Sequence, residues 1–463
     1  MRSWALRQLK ESAGQYAASA AVVAIVSAFA VLLLETTEVF SAAVASAGLD
    51  AVDAVRMGLG TVTVVFLGIA VVVAVLVISN TFSMVYAGRV RDIALLRLIG
   101  ATGKQVRRTS LIDGVAVGLT GAVLGIVAGV LISLAAIAGI SASTGAELSF
   151  IFVPQLILVP LIGSLVATVA ASYAGSREVS RVAPIEATRS SAEGQRLPER
   201  AARGRSITGV VLFMAGLGLL GLGTVVGIAA PVGLLIAFPG GVLSIAGVII
   251  GSPVLIPPVV ALVARLLPRS AANRLAAANL LHDPVRTART VISVVIGVTL
   301  LTMFTVAGEM FIAATRDYLG QGDDVASVID GLLQAVYALT SFSVIVAAIG
   351  LGSTLSMSVL QRRRQIGVLR ALGLTTRQTR RMLLAESLLV TVVGVIVGLV
   401  LGTLYGFVGA NSILGSQYFG PPLLPPVFLI VLVVGALAFG ALASLAPGRR
   451  ASGIAPAVAL REA

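Results

Sequence analysis

Ten apolar runs organise this chain, at residues 17–34, 60–87, 111–140, 150–173, 207–230, 242–267, 290–307, 335–360, 383–408 and 427–445. Each approaches or exceeds the ~20 apolar residues that a helix needs to cross a bilayer. The pattern predicts an all-α polytopic membrane protein of about ten transmembrane helices. The sixth run carries Pro253, Pro257 and Pro258 and is expected to be kinked or partly irregular. Its boundary with the fifth falls near 238-FPGG-241.

The polar stretches between the runs alternate in charge. With the N-terminus inside, segments 1–16, 88–110, 174–206, 265–289, 361–382 and 446–463 hold 31 of the 33 Lys and Arg residues. Only Arg56 and Arg316 fall outside. The opposite loops and span ends carry acids: Glu35, Glu38, Asp50, Asp53, Glu147, Glu309, Asp317, Asp323, Asp324 and Asp330. An excess of basic residues in cytoplasmic loops is the signature of the positive-inside rule. Both termini are therefore expected in the cytoplasm, with block 207–267 crossing twice. The first run resembles a signal peptide, with Lys10 before it and 43-AVASAG-48 after it. An equivalent run opens the second half of the chain, where it cannot be a signal, and this argues for a retained helix.

Composition agrees. The chain is 57% hydrophobic and 11% charged, against about 25% charged in soluble domains, and its mean hydropathy is +1.04. The net charge of +13 follows from the loops and gives no reason to expect a nucleic-acid partner. Fifty glycines suit close helix packing in lipid. The absence of cysteine excludes disulfides and thiolate metal sites. Arginine outnumbers lysine by 31 to 2, a bias that hints at a GC-rich, bacterial genome and hence at the plasma membrane.

The chain also repeats itself at an offset of 271 to 273 residues. The pairs include 38-EVFSAA-43 with 309-EMFIAA-314, 79-SNTFSM-84 with 352-GSTLSM-357, and 180-SRVAPIEATR-189 with 452-SGIAPAVALR-461. Glycines recur in register as Gly121/Gly394, Gly125/Gly398 and Gly129/Gly402. The expected organisation is a first four-helix unit over 1–189, a cytoplasmic linker over 190–206, a two-helix hairpin over 207–267 and a second four-helix unit over 268–463. Corresponding loops face the same side, so the repeat is parallel and implies a pseudo-twofold axis along the membrane normal.

The strongest repeat lies in two basic cytoplasmic segments. In 89-RVRDIALLRLIGATGKQVRRTS-110, residues Ile93, Leu96 and Ile99 form a helical apolar stripe. Gly100 is placed to end that helix, and 102-TGKQ-105 has the pattern of a capping box. Its copy is 362-RRRQIGVLRALGLTTRQTRRML-383, with Gly373 and 375-TTRQ-378 in the same places. Basic loops attract anionic headgroups at ~1 kcal/mol per charge. That attraction requires no fixed turn, whereas the repeat retains the glycine, the cap and the stripe. A shaped docking element is the better expectation.

The string 362-RRRQIGVLRALGLTTRQTRRMLLAESLL-389 closely resembles the signature of FtsX/MacB-type ABC transporter permeases, and 91-RDIALLRLIGATGKQVRRTSLIDG-114 resembles it more loosely. The closing 183-APIEATR-189 and 455-APAVALR-461 are similar to the family's end motif. The resemblance implies that 89–108 and 362–381 are coupling helices seated in grooves of a cytoplasmic ATPase. Arg91, Asp92, Arg97, Gly100, Thr102 and Gln105 would serve one contact, and Arg364, Gln365, Arg370, Gly373, Thr375 and Gln378 the other. It implies two ATPase copies, which carry the ATP and Mg, and a permease that moves or handles an amphiphile such as a lipid, peptide or hydrophobic drug. Two features depart from the family. Its usual glutamate is Asp92 in one copy and Gln365 in the other, and the outer loops near 35–57 and 308–334 are too short for a large extracytoplasmic domain.

No phosphate-binding G-x-x-x-x-G-K-[ST] motif is present, so no enzyme activity or cofactor is expected in this chain itself. A second reading is regulatory: the permease relays motion to an extracytoplasmic enzyme or sensor kinase. His282 reads as a surface residue, and Trp4 as an interfacial anchor. Asp113 and Glu386 occupy matched places just inside the third helix of each unit, where two roles stand open, a structural ion pair or motion transmission. Glu38 and Glu309 mark the outer ends of the first helices, as an outer vestibule or as hydrated surface.

Overall fold

A computed structural model describes residues 13–46, 52–88, 102–144, 150–179, 199–229, 232–266, 270–319, 373–415 and 419–453, with a few isolated positions between them. The described residues form helices and connecting turns, with no strand among them. They divide into two compact units, Met1–Ala192 and Glu193–Ala463. Seven of the described helices are long and apolar enough to cross a membrane, and the chain is an all-α polytopic membrane protein.

The first unit contains α1 (Ala13–Ser46), α2 (Val52–Gly88), α3 (Gly103–Thr144) and α4 (Gln155–Val179). Its packing is governed by small residues on α3. A β-carbon at Gly121 would meet Val23 Cβ at 2.6 Å, one at Gly125 would meet Ser27 Cβ at 2.6 Å, and one at Gly129 would meet Val31 Cβ at 2.8 Å. Any larger residue would force α1 away from α3. Lipid tails are as apolar as leucine, so this intimacy, rather than a hydrophobic driving force, holds membrane helices together. Ser27 and Ser164 add a buried hydroxyl pair at 2.7 Å between α1 and α4, and Thr37 and Thr63 add a partly buried one at 2.6 Å between α1 and α2.

The second unit contains α5 (Glu199–Ala229), α6 (Gly233–Leu266), α7 (Ala271–His282), α8 (Pro284–Leu319), α9 (Thr376–Leu414) and α10 (Pro426–Gly453). Here α9 packs on α8 as α3 packs on α1. β-Carbons at Gly394, Gly398 and Gly402 would meet the Cβ atoms of Val294, Val298 and Thr302 at 2.5, 2.7 and 2.5 Å. These partners stand 271 residues after Val23, Ser27 and Val31. The repeat therefore extends from the sequence to the individual contacts of the helix crossing.

The hairpin belongs to this second unit. Helices α5 and α6 meet along small residues, with Gly209 against Gly251, Gly216 against Ser244 and Gly223 against Ala237. Leu220, Ala237 and Val408 are buried where the hairpin meets α9, with Leu217, Leu404, Tyr405 and Phe407 around them. One expectation needs correction. The stretch 238-FPGG-241 is not a boundary but lies within α6, which runs unbroken from Gly233 to Leu266 through Pro239, Pro253, Pro257 and Pro258. Gly240 is there for close approach to α5, since its β-carbon would meet the Leu220 amide nitrogen at 2.7 Å. Proline within a helix is better tolerated in membranes because neighbouring groups re-satisfy the freed carbonyls.

Of the ten predicted spans, α2 and α10 contain shorter apolar stretches, Thr63–Ser79 and Pro426–Leu442. The predicted span at 335–360 lies almost wholly outside the described residues. Helix α7 is short and amphipathic, capped by Ser270, whose side chain accepts from the Asn273 N–H at 3.2 Å. It buries Ala276 and Leu280 and exposes His282. Asp283 then accepts from the Arg286 N–H at 3.2 Å, and Pro284 begins α8 where its missing N–H costs nothing.

Candidate functional site

The N-termini of α3 and α9 are built alike. At α9, Thr375 is an extended N-cap whose hydroxyl accepts from the Gln378 N–H at 3.3 Å, while Gln378 Oε1 accepts from the Thr375 N–H at 2.9 Å. At α3, Thr102 Oγ1 accepts from the Gln105 N–H at 3.3 Å, and Gln105 Oε1 accepts from the Thr102 N–H at 2.8 Å. Both are reciprocal capping boxes, each satisfying two backbone donors that the helix leaves open. Gly373 has φ +102°, a left-handed conformation that a β-carbon would strain. The four capping residues and Gly373 are exposed. Each helix thus begins at a reciprocal cap, and at α9 the left-handed Gly373 precedes it.

Of the residues expected at the ATPase contact, Thr102, Gln105, Gly373, Thr375 and Gln378 are thereby placed. Arg91, Asp92, Arg97, Gly100, Arg364, Gln365 and Arg370 lie outside the described residues. Within the first segment, Leu95 and Leu98 are helical and 48% and 57% exposed. The apolar stripe at Ile93, Leu96 and Ile99 did not include this pair, although spacing of three already puts Leu95 and Leu98 on one helical face.

Just inside the membrane, Asp113 and Glu386 are both buried, and both engage neighbouring groups. Around them α3 is tied to α4 and α9 to α10. Ser172 on α4 donates to the Ser110 carbonyl on α3, and the Arg107 guanidinium lies 6.0 Å from the centre of the Tyr173 ring, within range of a cation–π contact. In the second unit, Ser387 donates to the Gly440 carbonyl at 2.7 Å, joining α9 to α10. Asn279 on α7 reaches Met382 Sδ on α9 at 3.8 Å. These contacts fasten α3 to α4 and α9 to α10 near the starts of α3 and α9.

Two stretches of the chain match the FtsX-like permease C-terminal family model, residues 64–184 and 337–456, together just over half of it. The chain belongs to the FtsX-like permease family. Each match covers one basic segment, the span before it and the two after it, so the family module occurs twice. Among curated relatives, an uncharacterized ABC transporter permease of Methanocaldococcus jannaschii is 38% identical over 96 residues, covering 21% of this chain and 24% of that protein. The lipoprotein-releasing system transmembrane protein LolC of Haemophilus influenzae is 32% identical over 126 residues, covering 27% and 32%. The macrolide export ATP-binding/permease protein MacB of Nitrobacter winogradskyi is 30% identical over 127 residues, covering 27% and 18%. The chain thus spans about a third or less of the length of these relatives.

This FtsX-like permease keeps Glu38 and Glu309 half-buried on α1 and α8, toward the ends expected to face outward. A third acid is more enclosed than either. Glu35 is only 2% exposed, and its Oε1 accepts from the Ile151 N–H at 2.9 Å, in the strap leading to α4. The sequence shows Glu35 only as one of several acids at the span ends. Its burial depends on a strap 116 residues away.

Proposed function

We propose that this chain is the transmembrane subunit of an ABC transporter, working with two copies of a separate cytoplasmic ATPase that bind ATP and Mg. The observation that carries this reading is the duplicated, exposed capping turn at Thr102–Gln105 and Thr375–Gln378. Each turn stands between a basic cytoplasmic segment and the helix that carries the glycine contacts. Segments 89–108 and 362–381 seat in the two ATPase grooves, with Leu95 and Leu98 supplying apolar contact in one of them. Asp113 and Glu386 stiffen the start of α3 and α9, so that movement at the segment reaches the outer half of each helix. Both termini lie in the cytoplasm of a bacterial cell, in keeping with the charge pattern. The two permease units act on an amphiphile in the outer leaflet, exported or handled there, with Glu38 and Glu309 at the outer vestibule.

Purification of the tagged chain from native membranes tests the pairing. A Walker-motif ATPase is expected to accompany the wild type and to be lost from a variant carrying Gly100→Pro and Gly373→Pro that still folds. Absence of any ATPase from the wild-type preparation overturns the reading in favour of a permease acting without one.

A further inference from the structure

The straps that lead into α4 and α10 are fastened to α1 and α8 by opposite chemistries. In the second unit, Leu423 and Leu424 of the strap pack on a cluster of Val306, Met310 and Ala410. In the first unit the corresponding strap residue is Ile151, and the position matching Val306 is Glu35. There the strap is held by a hydrogen bond from the Ile151 N–H to Glu35 Oε1 at 2.9 Å. The architecture does not require an acid at this place, because valine fills the equivalent position in the other unit, fully buried.

A simple fastening accounts for only half of the carboxylate. Glu35 Oε2 is buried and has no hydrogen-bond partner among the described residues. Glu38 stands one helical turn further out on the same helix. An ionised carboxylate in a membrane span is costly unless it is paired, and such residues face partners or functional cavities. A group suited to this oxygen would carry positive charge and be small enough at its charged end to reach beneath the strap. It must also be apolar behind that end, because Glu35 lies within the apolar stretch Ser19–Val39 of α1. A primary ammonium on an alkyl chain has both properties.

We propose that Glu35 is the recognition site for the ammonium group of a cationic amphiphile, which enters from the outer leaflet under the strap at residues 150–154 of the first unit. This deepens the reading of the chain as a handler of amphiphiles and rests on it. In the second unit the matching position holds the apolar Val306, packed by Leu423 and Leu424. Recognition is one-sided although the scaffold is duplicated.

The test uses the full chain without any ATPase, so that its outcome is independent of ATPase pairing. In neutral maltoside micelles, the unfolding temperature is followed against dodecylamine, with dodecanol as the uncharged control. Dodecylamine is expected to stabilise the wild type at concentrations where dodecanol does not. Glu35→Gln keeps a carbonyl for the Ile151 N–H but removes the charge, and should raise the required dodecylamine concentration at least tenfold. Glu35→Val, which copies the second unit, should abolish the response while the chain stays folded. Equal dodecylamine responses in wild type and Glu35→Gln would overturn the proposal. So would stabilisation of the wild type by dodecanol as strong as by dodecylamine, or no response of the wild type to the amine.

Discussion

Gly118 on α3 lies directly against Thr168 on α4, where a β-carbon on the glycine would overlap the threonine hydroxyl. At the matched crossing of the second unit the two residue types have changed places. Thr391 stands on α9, the counterpart of α3, and Gly440 stands on α10, where its β-carbon would overlap the Thr391 hydroxyl. Each crossing therefore holds one threonine and one glycine, and the interhelical space is filled once. Gly118→Thr alone should destabilise the first unit by about 1–3 kcal/mol, the usual cost of overpacking. Adding Thr168→Gly should recover much of that loss, because the pair then copies the second unit. A double-mutant cycle on unfolding in detergent measures the coupling. Simple additivity of the two changes would show that the exchange is not compensatory.

The glycine contacts separate positions that tolerate a side chain from positions that do not. A β-carbon at Gly398 would meet Val298 Cβ at 2.7 Å, whereas one at Gly409, on the same helix, would meet nothing within 4 Å. Gly398→Val is expected to destabilise the second unit by about 1–3 kcal/mol. Gly409→Ala is expected to be neutral, or stabilising by up to about 1 kcal/mol through helix propensity. Unfolding of both variants under identical detergent conditions makes the comparison.

Much of this architecture is legible in the chain itself because its signals are local or periodic. Apolar run length announces the spans, and threonine three residues before glutamine announces both caps. Identity at a constant offset reveals the repeat, but it is blind to Gly118/Thr391 and Thr168/Gly440, where the residue types differ and only their sum is kept. It also gives no weight to Glu35, because the matching Val306 differs and the Ile151 N–H comes from a distant strap. The stretch 238-FPGG-241 misleads for another reason. Proline and glycine read as helix breakers by the rules of soluble proteins, whereas here Gly240 serves the tight contact of α6 with α5. The arginines expected at the ATPase contact lie outside the described residues, so their placement still rests on sequence.

The two capping boxes should be separable from stability. Thr375→Ala removes the hydroxyl that accepts from the Gln378 N–H, at a cost of about 1 kcal/mol at the start of α9. Thr375→Ser keeps that acceptor. In the complex with the ATPase proposed above, the combined Thr102→Ala and Thr375→Ala variant should lower coupled ATP hydrolysis several-fold while unfolding only slightly earlier. The corresponding serine variant should remain near wild type. If the alanine and serine variants hydrolyse ATP alike, the turn has no part in transmission.

Within the second unit, the hairpin is keyed to α9 by a polar contact. Ser244 on α6 and Tyr405 on α9 pair through their hydroxyls at 2.7 Å. The position matching Tyr405 in the first unit is Ile132, which is exposed and offers no such partner. Interhelical hydrogen bonds in membrane proteins average about 0.6 kcal/mol, because the unfolded chain in lipid also finds partners. Tyr405→Phe and Ser244→Ala should therefore each cost roughly that amount, and the double variant little more than either single one. Close backbone approach, such as at Gly227, where an added β-carbon would lie 2.6 Å from the Ser412 backbone, would continue to hold the hairpin. A much larger loss in Tyr405→Phe would assign the hydroxyl pair a leading part in docking the hairpin, and a fully additive double variant would mean that the two hydroxyls act separately.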